Sequence, residues 1–134
     1  MVELDADSFH PIMAAQGMVA CILHRGPFDG CAQAVQALRG AADGRWAWTR
    51  IDLAGAPAIA EIFAVAGDGP QLLIMRETVV LYCAPLPAAE AGPRILERAA
   101  ALDMTAVKAE IEQERAGRAS LFARRVCPAA RRTR

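Results

Sequence analysis

The sequence predicts an α/β fold: a central mixed sheet, helices on both of its faces, and a helical extension at the C-terminus. Three observations predict it. Short apolar runs alternate with helical patterns in the order β-α-β-α-β-α-β-β, followed by more helix, and crossover helices imply parallel neighbours. Met18–His24 is nearly continuous in apolar residues, as expected of a strand covered on both faces. The last two strands are separated by only Arg76-Glu77, a tight hairpin that adds an antiparallel edge.

The elements follow in order. Val2-Glu-Leu4 reads as a short first strand. Asp5, Asp7 and Ser8 offer N-caps for a helix over 8–16, closed by Gly17. After the Met18–His24 strand, Arg25-Gly26-Pro27 breaks the run, and a helix spans 29–42 with Asp29 as its N-cap and Gly44 closing it. Trp46, Trp48, Ile51 and Leu53 mark a strand over 45–53, with both tryptophans on one face as core packing. Gly55-Ala-Pro57 opens a third helix, where Ile59, Ile62, Phe63 and Val65 fall at helical spacing, and Gly67 to Pro70 ends it. Strands over 71–75 and 78–83 follow. Residues 87–102 hold a helix interrupted at Gly92-Pro93. Asp103 caps a last helix with Met104, Val107 and Ile111 as its stripe. One of these two helices is expected to complete the domain and the other to extend it.

At 134 residues the chain is one domain with enough length to bury a core. The expected division is a folded domain over 1–117 and a basic extension over 118–134, which carries six arginines and no acid. Acidic and basic residues balance at 15 each, so no bulk attraction to nucleic acid or to an anionic membrane surface follows. No apolar run approaches the roughly 20 residues that cross a bilayer, and no basic, apolar leader opens the chain. Cys21, Cys31, Cys83 and Cys127 form no C-x-x-C pair, which points to structural thiols in a reducing, cytoplasmic setting. Two histidines, His10 and His24, without clustered acids argue against a metal centre, and no cofactor is expected.

Four segments together resemble the thioredoxin family across residues 2–115. Leu4-Asp-Ala-Asp-Ser-Phe9 is similar to its first strand-to-helix corner. Met18–Leu23, the turn Phe28-Asp29-Gly30 and the helix headed by Cys31 match its active-site segment. Arg50-Ile-Asp52-Leu and Ala56–Val65 resemble its third strand and following helix. Gly69-Pro70-Gln-Leu-Leu-Ile74 matches the segment that holds its cis-proline. The resemblance implies a three-layer thioredoxin-like fold. It also exposes departures. The nucleophilic cysteine position is Phe28, the tryptophan before it is Pro27, the buried proton-handling acid aligns with Ile22, and Gly69 precedes the proline. Thioredoxin-like accessory proteins without redox cysteines are known, including ones that assist hydrogenase maturation, and this chain is similar to that group in size and layout.

The expected function is therefore non-redox: a protein or peptide segment held on the former active-site face by Pro27, Phe28, Asp29, Gly69, Pro70 and Gln71, in an accessory or assembly role. The alternative is a single-cysteine thiol-disulfide oxidoreductase acting through Cys31. At the helix start Cys31 is either a reactive thiol or a buried small hydrophobe, the second being favoured. Phe28 either stands out as an interface anchor or turns inward and fills the space of the lost disulfide. Pro70 either shapes a peptide groove or is a plain loop proline. His24 is either a base near Cys31 or, by preference, a solvated strand-end residue. The segment from Pro128 is expected to be mobile or held only by contacts.

Overall fold

The computed structural model describes residues 1–42, 44–65, 67, 69–88 and 90–117. The expected basic extension, with Cys127 and the segment from Pro128, lies outside the described residues. Five strands, β1 (Val2–Leu4), β2 (Met18–His24), β3 (Ala47–Asp52), β4 (Gln71–Arg76) and β5 (Val79–Pro85), form one sheet in the order β1-β3-β2-β4-β5. β3 runs parallel to both β1 and β2, whereas β2–β4 and β4–β5 are antiparallel. The helices are α1 (Phe9–Ala15), α2 (Asp29–Ala41), α3 (Pro57–Ile62), α4 (Gly92–Ala101) and α5 (Met104–Gly117).

β2 lies at the centre of the sheet because its side chains have apolar partners in both directions. Val19, Cys21 and Leu23 join a core with Phe9, Met13, Ile59 and Phe63 of α1 and the α3 segment. Ala20 and Ile22 join the opposite core with Val35 and Leu38 of α2 and Leu96 and Ala99 of α4. Trp46 is buried in this second core and Trp48 packs against it, as the period-two pattern predicts. Cys21 sits in the first core, where burial pushes its thiol up to about 12. α4 therefore completes the domain. α5 follows it, with Met104 and Ile111 buried, Asp103 accepting the Thr105 and Ala106 N–H groups at its start and Lys108 pairing with Glu77 at 2.8 Å.

Three expectations are corrected. The hairpin turn is Glu77-Thr78 rather than Arg76-Glu77, with φ of 51° and 68°. Arg76 stays in the ladder opposite Met18 and Val79, and a two-residue turn with both φ positive matches the twist of the strands it joins. Gly92-Pro93 does not interrupt a helix but starts α4, where a proline loses no helical N–H bond. Gly92 also packs closely on α2: a Cβ there would come within 2.4 Å of Leu38 Cδ1, so the end of the Leu38 side chain would have to turn aside. Finally, Asp29 is the first residue of α2 and Phe28 is its N-cap. The helix begins one residue early because Phe28 already adopts αR dihedrals, so Asp29 favours the helix through its charge in the first turn rather than as a cap.

Candidate functional site

The C-terminal ends of β2 and β3 meet the start of α2, and the turn between β2 and α2 is tied down from two sides. Gly26, at φ +74° where a side chain would be strained, donates its N–H to Asp52 Oδ1 at 3.0 Å. The same oxygen accepts the Ala54 N–H at 3.0 Å. Arg25 reaches the loop before β4, donating from Nε to the Gly67 carbonyl at 3.0 Å and from its Nη2 to the Val65 carbonyl at 3.2 Å. The turn that leads into residues 27–31 is thus fastened through Arg25 to the segment that leads toward residues 69–71, and through Asp52 to β3.

The Ala54 N–H first, and then the Gly26 N–H, hold the Asp52 carboxyl below its usual range. Asp52→Ala is expected to cost about 1–2 kcal/mol at pH 7, the cost of a lost N-cap. With its folded pKa depressed, Asp52 contributes stability above the ordinary carboxylate pKa of about 4, and this contribution is lost as pH falls through the folded value. Urea unfolding at pH 7 and pH 3 checks this: the gap between wild type and variant should narrow at pH 3. An undiminished gap would show that the carboxylate charge does not matter.

Phe28 is half-buried and packs against the second core. Its ring meets His24 edge-on with centroids 5.3 Å apart, and the Arg50 guanidinium carbon lies 4.4 Å from its centroid. A cation over an aromatic face contributes roughly 0.5–1 kcal/mol at such a partly exposed position. Arg50 also makes a long ion pair with Glu3 of β1 at 3.7 Å. Pro27, Asp29 and Gly30 around Phe28 are exposed.

His24 corrects the expectation of a solvated residue. It is only 4% exposed, because its place on β2 puts it under Phe28 on the face shared with Ala20 and Ile22. Nδ1 lies 3.0 Å from the Gly26 carbonyl, so Nδ1 carries the proton and donates it. Nε2 is then a bare acceptor, buried without a hydrogen-bond partner among the described residues. Leaving a buried polar group unpaired costs about 1–3 kcal/mol.

Cys31 is 8% exposed, one turn into α2, with its Sγ 3.4 Å from the Phe28 carbonyl. Burial raises its thiol pKa, against smaller opposing effects of its own backbone N–H and of Arg50. A thiol held protonated is a poor nucleophile.

The second segment departs from expectation. Among the described residues no peptide bond is cis, so the bond before Pro70 is trans. Trans is the default for an X-Pro bond by about 0.5–1 kcal/mol. Gly69 is exposed and Pro70 half-buried, and the Pro70 carbonyl accepts the Leu86 N–H at 3.0 Å. Gln71 is buried and starts β4 between Leu23 and Pro85. Its Oε1 faces Cys83 Sγ at 3.9 Å.

Among solved structures, the chain is similar to a point-mutant thioredoxin from Halobacterium salinarum NRC-1, at a TM-score of 0.62 and 17% identity over 76% of this chain and 92% of that one. The fold is thioredoxin-like. A chloroplastic thioredoxin z aligns over 76% of this chain and 96% of its own at a TM-score of 0.61 and 15% identity. A Plasmodium falciparum thioredoxin aligns over 73% and 98% at 0.59 and 11%. No family model matches the sequence, and no curated protein matches it. On the thioredoxin-like fold, then, the start of α2 presents Phe28 over His24 and Arg50. Sequence reasoning did not single out Arg50, Asp52 or the unpartnered His24 nitrogen as parts of this cluster. The available signal was register: in a parallel pair aligned as β2 and β3 are, Ile22 faces Arg50 and His24 faces Asp52.

Proposed function

We propose that the protein is a non-redox thioredoxin-like binding protein that holds a protein segment on the face formed by Pro27, Phe28, Asp29, Gly69 and Pro70. The observation that carries this reading is the state of the α2 start. The only cysteine there is buried with a raised pKa, and the neighbouring cap position holds an aromatic ring braced by His24 and Arg50. A half-exposed aromatic contributes a large contact area through a side chain with few rotatable bonds. Gln71 is withdrawn from this face by its burial, so Gly69 and Pro70 supply the second wall. An accessory or assembly role fits a surface that binds without turnover.

The test is affinity capture with the intact chain, followed by titration of the captured segment into isotope-labelled protein. Amide shifts confined to Phe28, Asp29, Gly30 and Gly69, together with at least tenfold weaker binding to Phe28→Ala, are expected. Shifts centred on another face would remove this reading. The competing reading, a single-cysteine oxidoreductase, requires Cys31 to be alkylated by iodoacetamide at neutral pH faster than an ordinary exposed thiol. The proposal expects it to be slower.

A further inference from the structure

The His24–Phe28–Arg50 cluster leaves two hydrogen-bonding groups without strong partners under one ring. His24 Nε2 is buried and unpaired. Among the described residues, Arg50, which has five donors, has only the 3.7 Å pair with Glu3 and the face of Phe28. Both groups touch the same ring, and they stand on neighbouring strands, with His24 of β2 in register with Asp52 and Arg50 two residues earlier on β3. The ring is in contact with both. Phe28 caps α2 with no side-chain bond, between Gly26 and Gly30, where added side-chain atoms would meet nothing within 4 Å. Its side chain is half-buried and takes no part in the helix hydrogen bonds, so a change of rotamer at Phe28 leaves the backbone bonds of α2 intact.

We propose that Phe28 is a movable cover over a carboxylate-binding site whose donors are the Arg50 guanidinium and His24 Nε2. This deepens the binding reading above and rests on it. The guanidinium matches a carboxylate in its planar fork geometry. Nε2 can donate only after taking a proton, because Nδ1 is already committed to the Gly26 carbonyl. Binding the anion therefore takes up one proton at His24. The charged groups that face His24 come from β1, β2, β3 and α2. Asp52 on β3 lies close enough to feel His24 electrostatically, and its Oδ1 is held in place by two backbone N–H groups. Arg50 on β3 opposes the imidazolium charge, and an arriving carboxylate offsets that. Glu3 on β1 acts through Arg50, Asp29 on α2 adds a negative charge at the surface, and Arg25 on the β2 side is engaged by Gly67 and Val65. Cys31 of α2 is held protonated and carries no charge. The carboxylate is either an aspartate or glutamate side chain of a bound segment or its C-terminus.

The test uses the full chain with acetate, N-acetylglutamate amide and N-acetylglycine as probes, read by the ¹⁵N signals of the His24 ring. Phe28→Ala removes the cover and is expected to bind acetate at least tenfold more tightly than wild type. The bound form should show Nε2 protonated. Where free His24 is neutral, the dissociation constant should rise by up to tenfold per pH unit, as uptake of one proton requires. Arg50→Gln in the Phe28→Ala background should weaken binding at least tenfold, and His24→Gln should flatten the pH dependence. The better of the two amino-acid probes assigns the source, side chain or terminus. Should Phe28→Ala not fold, Phe28→Leu and wild type titrated with the same probes carry the test. A folded variant that binds none of the probes, or binds them without a change at Nε2, overturns the proposal. Acetate binding without capture of any protein segment would keep this site and remove the protein-binding reading. Capture at the Phe28 face that is indifferent to Arg50→Gln would do the reverse.

Discussion

Phe28→Cys is expected to turn the protein into a disulfide reductase, against a wild type in which insulin reduction by dithiothreitol runs at its uncatalysed rate. Two-electron exchange needs two thiols within reach, their Cα atoms no more than about 7 Å apart. Among the described residues the other two cysteines, Cys21 and Cys83, lie in the first core, whereas Cys31 lies in the second, on the opposite face of the sheet. Cys21 is fully buried on β2 with its thiol pushed up to about 12, and Cys83 is fully buried on β5. Position 28 caps the helix of which Cys31 is the third residue. Residues three apart there share one face, with Cβ atoms about 5–6 Å apart. A sulfur placed at position 28 would also sit at the positive end of the helix dipole and beside Arg50, both of which favour the thiolate. Turnover at least tenfold above wild type, abolished by adding Cys31→Ser, is the expected result. Wild-type turnover that Cys31→Ser abolishes would show that the native chain already works through this thiol.

Ile22→Asp should be the most damaging single change near the site. It places a carboxyl where the resembled family keeps its buried acid, but here Ile22 is fully buried in the core that holds Val35, Leu72 and Ile74. A carboxylate there is shut away from water, and Arg50, in register on β3, offsets only part of that cost, so a loss of about 3–5 kcal/mol is expected. Burial raises the carboxyl pKa in the folded state, so the native form binds more protons than the unfolded one. Stability of the variant should therefore fall as pH rises above about 4, the unfolded carboxyl value. Urea unfolding at pH 5 and pH 8 checks it: the deficit against wild type should be larger at pH 8. A deficit under about 1 kcal/mol would mean that water already reaches this part of the core.

Much of the architecture was legible because it depends on periodicity along the chain. Met18–His24 is apolar at both parities, and only a strand with a layer on each side can bury both. The stripe Met104, Val107 and Ile111 behind Asp103 identified the last helix for the same kind of reason. The hairpin was misplaced by one residue because Glu77 and Thr78 carry no turn signature. What selects them is the pairing of Arg76 with Met18 and Val79, strand contacts that local composition does not encode.

The candidate site divides in the same way. From residues alone came the strand, turn and helix that carry it and the absence of a C-x-x-C pair, and so the argument against dithiol chemistry; Phe28 in the first cysteine's position is what the family resemblance implies. Local sequence suffices for these because each concerns neighbours within one turn. Only the tertiary structure decided that His24 is buried rather than solvated, that Arg50 lies over Phe28, that Asp52 holds Gly26, and that the Gly69–Pro70 bond is trans. These features join residues distant in the chain or depend on how a loop is held from another strand. Strand register and α2 packing set them, and both arise only when the whole sheet assembles.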